Sequence, residues 1–227
     1  HLADILSKIR EIDHNTSKGE QLIELISKNE DKKIVFVKYV KTLEYLSDLL
    51  RAMGYTFTVF SGGMTPREKD ESISAFRKEV PILLSTETGG EGRNLQFCNT
   101  LINYDLPWNP MRLEQRIGRL HRIGQKRDVY VFNLCMSGSI EDYMMRILDD
   151  KINMFELVIG EIDTILGNFK SDRDFSNIVM DLWINSKNDS ELKANFDQLG
   201  EDIIKAKKSY EKTKQLDELL FGEDYEV

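Results

Sequence analysis

The sequence predicts an α/β fold: a parallel sheet with helices on both faces and helical extensions at the N- and C-terminal ends. Two observations carry this. Between Lys33 and Cys135, short β-branched and aromatic runs alternate with helix-period segments, and strand–helix alternation is the mark of a parallel sheet. Hydrophobic content is 41% and charged content 31%, enough apolar material for a core in a chain of 227 residues.

The elements follow in order. KGEQLIELISK (18–28) reads as an amphipathic helix. KIVFVKY (33–39) is a buried strand. KTLEYLSDLLRAMG (41–54) places Leu43, Leu46, Leu49, Leu50 and Met53 at helical spacing, with Gly54 as the stop. FTVF (57–60) is a strand. TPREKDESISAFRKE (65–79) is a helix with Thr65 as N-cap, Pro66 at the first helical position and Glu68 at the capping-box position. PILLST (81–86), LINYD (101–105) and DVYVFNLC (128–135) are further strands. Residues 139–166 form a long apolar-periodic helical stretch. Beyond Phe169 the chain is polar and helical, with WIN (183–185) its aromatic anchor and a frayed FGEDYEV end. This gives a lead-in over 1–17, a sheet lobe over 18–150 and a helical extension over 151–227.

Charge is unevenly spread. Residues 1–150 hold 21 Lys/Arg against 22 Asp/Glu, whereas residues 151–227 hold 10 against 17. The acidity therefore belongs to the C-terminal third. No apolar run reaches membrane-spanning length and no secretory signal is visible. Cys98 and Cys135 lie in apolar surroundings, which suits reduced, packed thiols in a cytoplasmic protein and no metal site. The chain begins at His1 and is read as a fragment of a longer protein.

In open parallel sheets, ligands sit at the carboxyl ends of the strands. Three loops stand there: FSGGMTP (60–66), STETGGEGRNLQ (85–96) and DLPWNP (105–110). Glycines let backbone N–H groups approach phosphate oxygens closely. The third loop leads into a basic block: residues 112–127 carry five arginines and Lys126 against the single acid Glu114. If 111–122 is helical, Arg112, Arg116 and Arg119 form one row, and Gln115, Arg119 and Arg122 a second. Such rows present guanidiniums, always charged and bidentate, to phosphate.

QRIGRLHRIGQ (115–125) resembles motif VI of the superfamily-two helicase-like ATPases, and its HRIGQ ending is typical of the Swi/Snf-like branch. TGGEGRNLQ resembles motif V and DLPWNP the adjoining segment, while KIVFV and SGGMTPREK resemble earlier motifs of the same lobe. Within the branch the run is most like the bacterial RapA-like group. The resemblance covers roughly residues 18–150. Arg116, Gly118 and Lys69 depart from the usual pattern of that branch.

The resemblance implies a RecA-like C-terminal lobe. ATP and magnesium would be held mainly by a first lobe in the same polypeptide, because neither GxxxxGK[ST] nor a DExH-type strand occurs in this sequence. Arg119 and Arg122 would act as arginine fingers and Gln115 would position the phosphoryl group or the attacking water. Gly90, Gly92 and Asn94 would join the two arginines at the nucleotide. Gly62, Gly63, Thr86, Gly89, Gly90 and Arg112 would track nucleic acid. Trp108 is expected as a packed strut, His121 as a structural hydrogen-bonding group, His14 at the surface, and Phe97 and Tyr104 in the core. The implied activity is ATP-driven translocation on double-stranded DNA, with RNA polymerase or another DNA-bound complex suggested as partner. An unwinding helicase, an RNA-directed ATPase and a non-catalytic interaction module are the alternatives.

Overall fold

The computed structural model describes residues 16–86, 95–121, 127–151, 164–166 and 175–221. The chain divides into two compact units, His1–Leu106 with Arg119–Leu134, and Pro107–Gly118 with Cys135–Val227.

The first unit is the sheet. In chain order it holds α1 (Ser17–Ser27), β1 (Lys33–Val37), α2 (Val40–Ala52), β2 (Phe57–Phe60), α3 (Pro66–Lys78), β3 (Ile82–Thr86), β4 (Thr100–Asn103) and β5 (Tyr130–Asn133). All five strands are parallel, in the order β2-β3-β1-β4-β5. The central strands β1, β3 and β4 are buried along their whole length. That is why they read as near-continuous apolar runs rather than as alternating ones.

Side-chain parity divides the core between the two faces. Val35, Val37, Ile82, Leu84 and Ile102 meet Leu22 and Ile26 of α1 and Leu43, Leu46 and Leu50 of α2. Ile34, Phe36, Leu83 and Leu101 meet Phe76 of α3 together with Leu95, Cys98 and Leu120. The helix that follows β1 therefore packs on one face, and the helix that follows β2 packs on the other, with Leu95, Cys98 and Leu120. Chain directions part at the carboxyl end of β1, which is where an open α/β sheet opens a crevice.

Local chemistry sets the helix ends. Thr65 accepts from the Glu68 N–H while the Glu68 carboxylate accepts from the Thr65 N–H, and Pro66 takes the first helical position. Thr16 caps α1 through the Gly19 N–H. Gly54, at φ 78°, ends the turn after α2.

The second unit contains α4 (Pro110–Ile117), α5 (Ile140–Arg146), a π-helical turn (Ile147–Lys151), α6 (Phe175–Asn185) and α7 (Asp189–Phe221). Leu192, Phe196, Leu199, Ile203 and Ala206 form the buried stripe of α7, and Tyr143 stacks on Phe196 with ring centroids 5.2 Å apart.

Two expectations change here, and a third gains detail. The helix expected over 111–122 ends at Ile117, with Gly118 as its cap. The stretch expected as helical over 139–166 is helical where described, passing from α to π geometry at Ile147; residues 152–163 lie outside the described ones. Trp183 is not an anchor but is 49% exposed, and Phe175 and Val179 are the buried residues of α6. The expected frayed end also lies outside the described residues. Among the described residues no helix is long and apolar enough to cross a membrane.

Candidate nucleotide and nucleic-acid interface

At the carboxyl end of β2 the chain turns through Ser61–Met64, closed by the Met64 N–H to the Ser61 carbonyl at 3.3 Å. Gly62 and Gly63 are exposed on this turn. A Cβ built on Gly63 would meet nothing within 4 Å, and its φ is not positive. Neither packing nor backbone conformation calls for glycine there, so its main chain is left open to an approaching ligand.

At the end of β3, Thr86 is buried. Gly89, Gly90, Gly92 and Asn94 lie outside the described residues, as does Arg122. The chain is described again from Leu95, which is buried in the core. The Leu95 N–H donates to the Arg119 carbonyl at 3.3 Å, and the neighbouring Leu120 is buried in the same cluster. The exit of the glycine-rich segment and the first of the two expected finger arginines therefore share a fixed main chain. This is a contact between residues far apart in sequence.

The ends of β1 and β4 are joined in a similar way. The Asp105 carboxylate accepts from the Lys38 N–H at 2.8 Å, and the Phe36 carbonyl accepts from the Tyr104 and Asp105 N–H groups. The sequence shows Asp105 within a motif but assigns it no role; an acid directly after a strand and just before Leu-Pro is the one signal that points to it. Beneath this edge, Asn103 donates to Asn133 at 2.7 Å. The Tyr104 hydroxyl meets Thr16, which also meets Tyr45, and burial pushes the Tyr104 phenol up from its ordinary pKa. Tyr104 is in the core as expected, and Phe97 packs on Phe76 with centroids 5.3 Å apart.

The arginines separate by role. In the second unit Arg112 and Gln115 are exposed on α4, whose start is fixed by Asn109 accepting the Met111 N–H. Arg116 is 3% exposed and Glu114 is buried as well. The first expected arginine row does not hold, because Arg116 is not presented to solvent; of the second, Arg119 lies in the turn beyond the helix end and Arg122 lies outside the described residues. Trp108 is half-buried and His121 exposed; His14 lies outside the described residues. Arg127 serves the fold, donating to the Phe97 carbonyl at 3.2 Å and facing Asp31 at 3.7 Å. Burial pushes the Cys98 thiol up to about 11, and it donates to the Lys32 carbonyl, so it is no nucleophile at neutral pH. Among the described residues no group of three or more His, Cys, Asp or Glu side chains could hold a metal ion. A guanidinium on a fixed main chain fits a phosphoryl group.

The helicase conserved C-terminal domain model matches residues 17–124. An uncharacterized ATP-dependent helicase, YqhH of Bacillus subtilis, is 43% identical over 86% of this chain and 35% of its own length. The RNA polymerase-associated protein RapA of Vibrio campbellii is 35% identical over 75% of this chain and 19% of its own. The chain thus spans about a third and about a fifth of these two relatives. The crystal structure of the C-terminal part of the Fun30 ATPase domain shares the fold, with a TM-score of 0.55 at 23% identity over 75% of this chain and 55% of that one. Through residues 17–124 the chain belongs to the helicase conserved C-terminal domain family, with the RecA-like lobe fold, and is related in sequence to RapA of the Swi/Snf-like branch.

Proposed function

We propose that this lobe is the second half of an ATP-dependent translocase on double-stranded DNA. Arg119 and Arg122 place guanidiniums against the charge that develops on the transferred phosphoryl group, and Gln115 orients that group or the attacking water. Gly90, Gly92 and Asn94 line the nucleotide; Gly62, Gly63, Thr86, Gly89, Gly90 and Arg112 follow the DNA backbone. ATP and magnesium are held mainly by a first lobe of the same polypeptide. Residues 18–150 are the working lobe, 1–17 its lead-in and 151–227 an extension. The observation that supports this reading best is the tie between Leu95 and Arg119, which couples the glycine-rich segment to the arginine segment through backbone. A backbone tie of this kind is what coupling of nucleotide state to DNA grip requires.

The test is turnover by the longer protein that carries this lobe. Arg119→Ala and Arg122→Ala each lower DNA-stimulated kcat by about 10²-fold or more, with little change in nucleotide Kd, because a finger acts on the transition state. Lysine rescues either poorly, since an ammonium cannot reproduce the planar fork. Arg51→Ala, an exposed arginine paired with Asp48, turns over like the parent. Wild-type turnover by folded Arg122→Ala sinks the finger assignment. Duplex-stimulated ATPase without strand displacement separates the translocase from an unwinding helicase. Co-purification with RNA polymerase tests the partner that RapA's description suggests.

A further inference from the structure

α7 lies in the acidic third of the chain, yet Lys205, Lys207, Lys208, Lys212 and Lys214 fall within ten residues that include one acid, Glu211. Two ordinary causes place lysines on a helix. The first is the helix dipole, which acts within the last turn. α7 runs on to Phe221, and the acids Asp217 and Glu218 follow the lysines near its C-terminal end. The second is pairing one turn away. That accounts for the largely covered Lys207, 3.9 Å from Glu211; Lys205 lies 2.9 Å from Asp202 but keeps most of its side chain open to solvent. Lys208 and Lys212 are exposed and make no ion pair among the described residues.

Helical geometry sorts the lysines further. At about 100° per residue, Lys205, Lys208 and Lys212 share one stripe, opposite the buried Leu192, Phe196, Leu199 and Ile203. The Lys205 side chain is 72% exposed, whereas that of Lys207, off the stripe, is 19% exposed. Like charges three and four residues apart repel and weaken a helix, so an isolated helix has no use for the stripe. Asp197 and Glu201 lie further up the same face and bound it at its N-terminal end.

We propose that Lys205, Lys208 and Lys212 form a second nucleic-acid contact, outside the helicase lobe, that lies along the phosphate backbone of duplex DNA. The stripe is about 10 Å long at 1.5 Å per residue. One strand presents a phosphate every 3.4 Å or so of axis, so the stripe spans about three of them. Lysine suits this role because a flexible point charge meets phosphates of any sequence.

The experiment uses this chain and a short duplex of arbitrary sequence, with binding followed by anisotropy from about 50 to 200 mM salt and no ATP. The triple variant Lys205→Gln, Lys208→Gln, Lys212→Gln lowers affinity at least about tenfold at low salt. It also flattens the plot of log K against log salt by about 2–3 units, near 0.9 for each phosphate that is no longer neutralised. Glutamine is a good helix former, so helicity by circular dichroism stays level with the parent. Lys193→Gln and Lys207→Gln, off the stripe, leave the slope unchanged. An unchanged slope in the triple variant overturns the proposal. So does a triple variant that keeps DNA binding but loses binding to poly-glutamate, because the stripe's partner is then an acidic protein surface. The readout involves no ATP turnover, so it stands or falls separately from the finger assignment.

Discussion

Gly19 and Gly63 show how differently two glycines of one sheet unit can be used. A Cβ on Gly19 would lie 2.7 Å from the Tyr45 hydroxyl and 3.3 Å from Leu49 Cδ2. Tyr45 cannot simply swing away, because its hydroxyl also meets Thr16 Oγ1 at 3.2 Å. Gly19→Ala therefore destabilises by about 1–2 kcal/mol in chemical denaturation, despite alanine's better helix propensity. Gly63 faces open space, so Gly63→Ala leaves stability within about 0.5 kcal/mol while weakening DNA-stimulated ATPase in the longer protein. An equal loss of stability in both variants would refute the ligand-facing reading of Gly63. The arginines divide along the same line. Arg119 and Arg116 carry the same guanidinium, but Arg116 is buried and Arg119 is fixed through its carbonyl. Their sequence spacing does not reveal this difference, because Gly118 stops the helix between them.

At the scale of elements, α3 is legible from its first turn because that end carries local signals. The box residues Thr65 and Glu68 and the proline between them lie within four positions. Hydrogen bonds from the Thr65 side chain and N–H hold the Glu68 carboxyl below its ordinary pKa. A carboxylate with a depressed folded-state pKa contributes stability above its unfolded value, and loses it as pH falls through the folded one. The stability gap between parent and Glu68→Ala is therefore present at neutral pH and closes in acid below the ordinary carboxylate range. Stability curves at several pH values measure it, and a gap that widens in acid contradicts the box. What holds the other end of α3 is not legible. Lys32 reaches the Phe76 and Val80 carbonyls at 2.6 and 3.1 Å across more than forty residues. Lys32→Met should cost about 1–2 kcal/mol, because it strips charge-assisted bonds from a helix C-terminus. The exposure of Trp183 on α6 is hidden for a related reason: an apolar residue's burial depends on neighbours that a local window does not contain.

For the whole molecule, the strands and the glycine turn after β2 are readable, since each is a local pattern and the five strands run parallel. What cannot be read is how the chain shares itself out, with Pro107–Gly118 in one unit and Arg119–Leu134 in the other. The arginine segment, expected as one helix, is thus divided after Gly118. This bears on what the chain does by itself. An arginine finger lowers a barrier only for a phosphoryl group that other residues already hold in line. This sequence contains no GxxxxGK[ST] run to hold one. The 227-residue chain should therefore fold, with a cooperative melt from its sheet core, yet turn over ATP at background and bind nucleotide weakly. ATPase assays across successive chromatographic steps, alongside calorimetric titration with ATP, measure both properties. Activity that co-elutes with the folded chain and disappears in Arg119→Ala would show that this chain holds the phosphates itself, and the half-site reading would have to be abandoned.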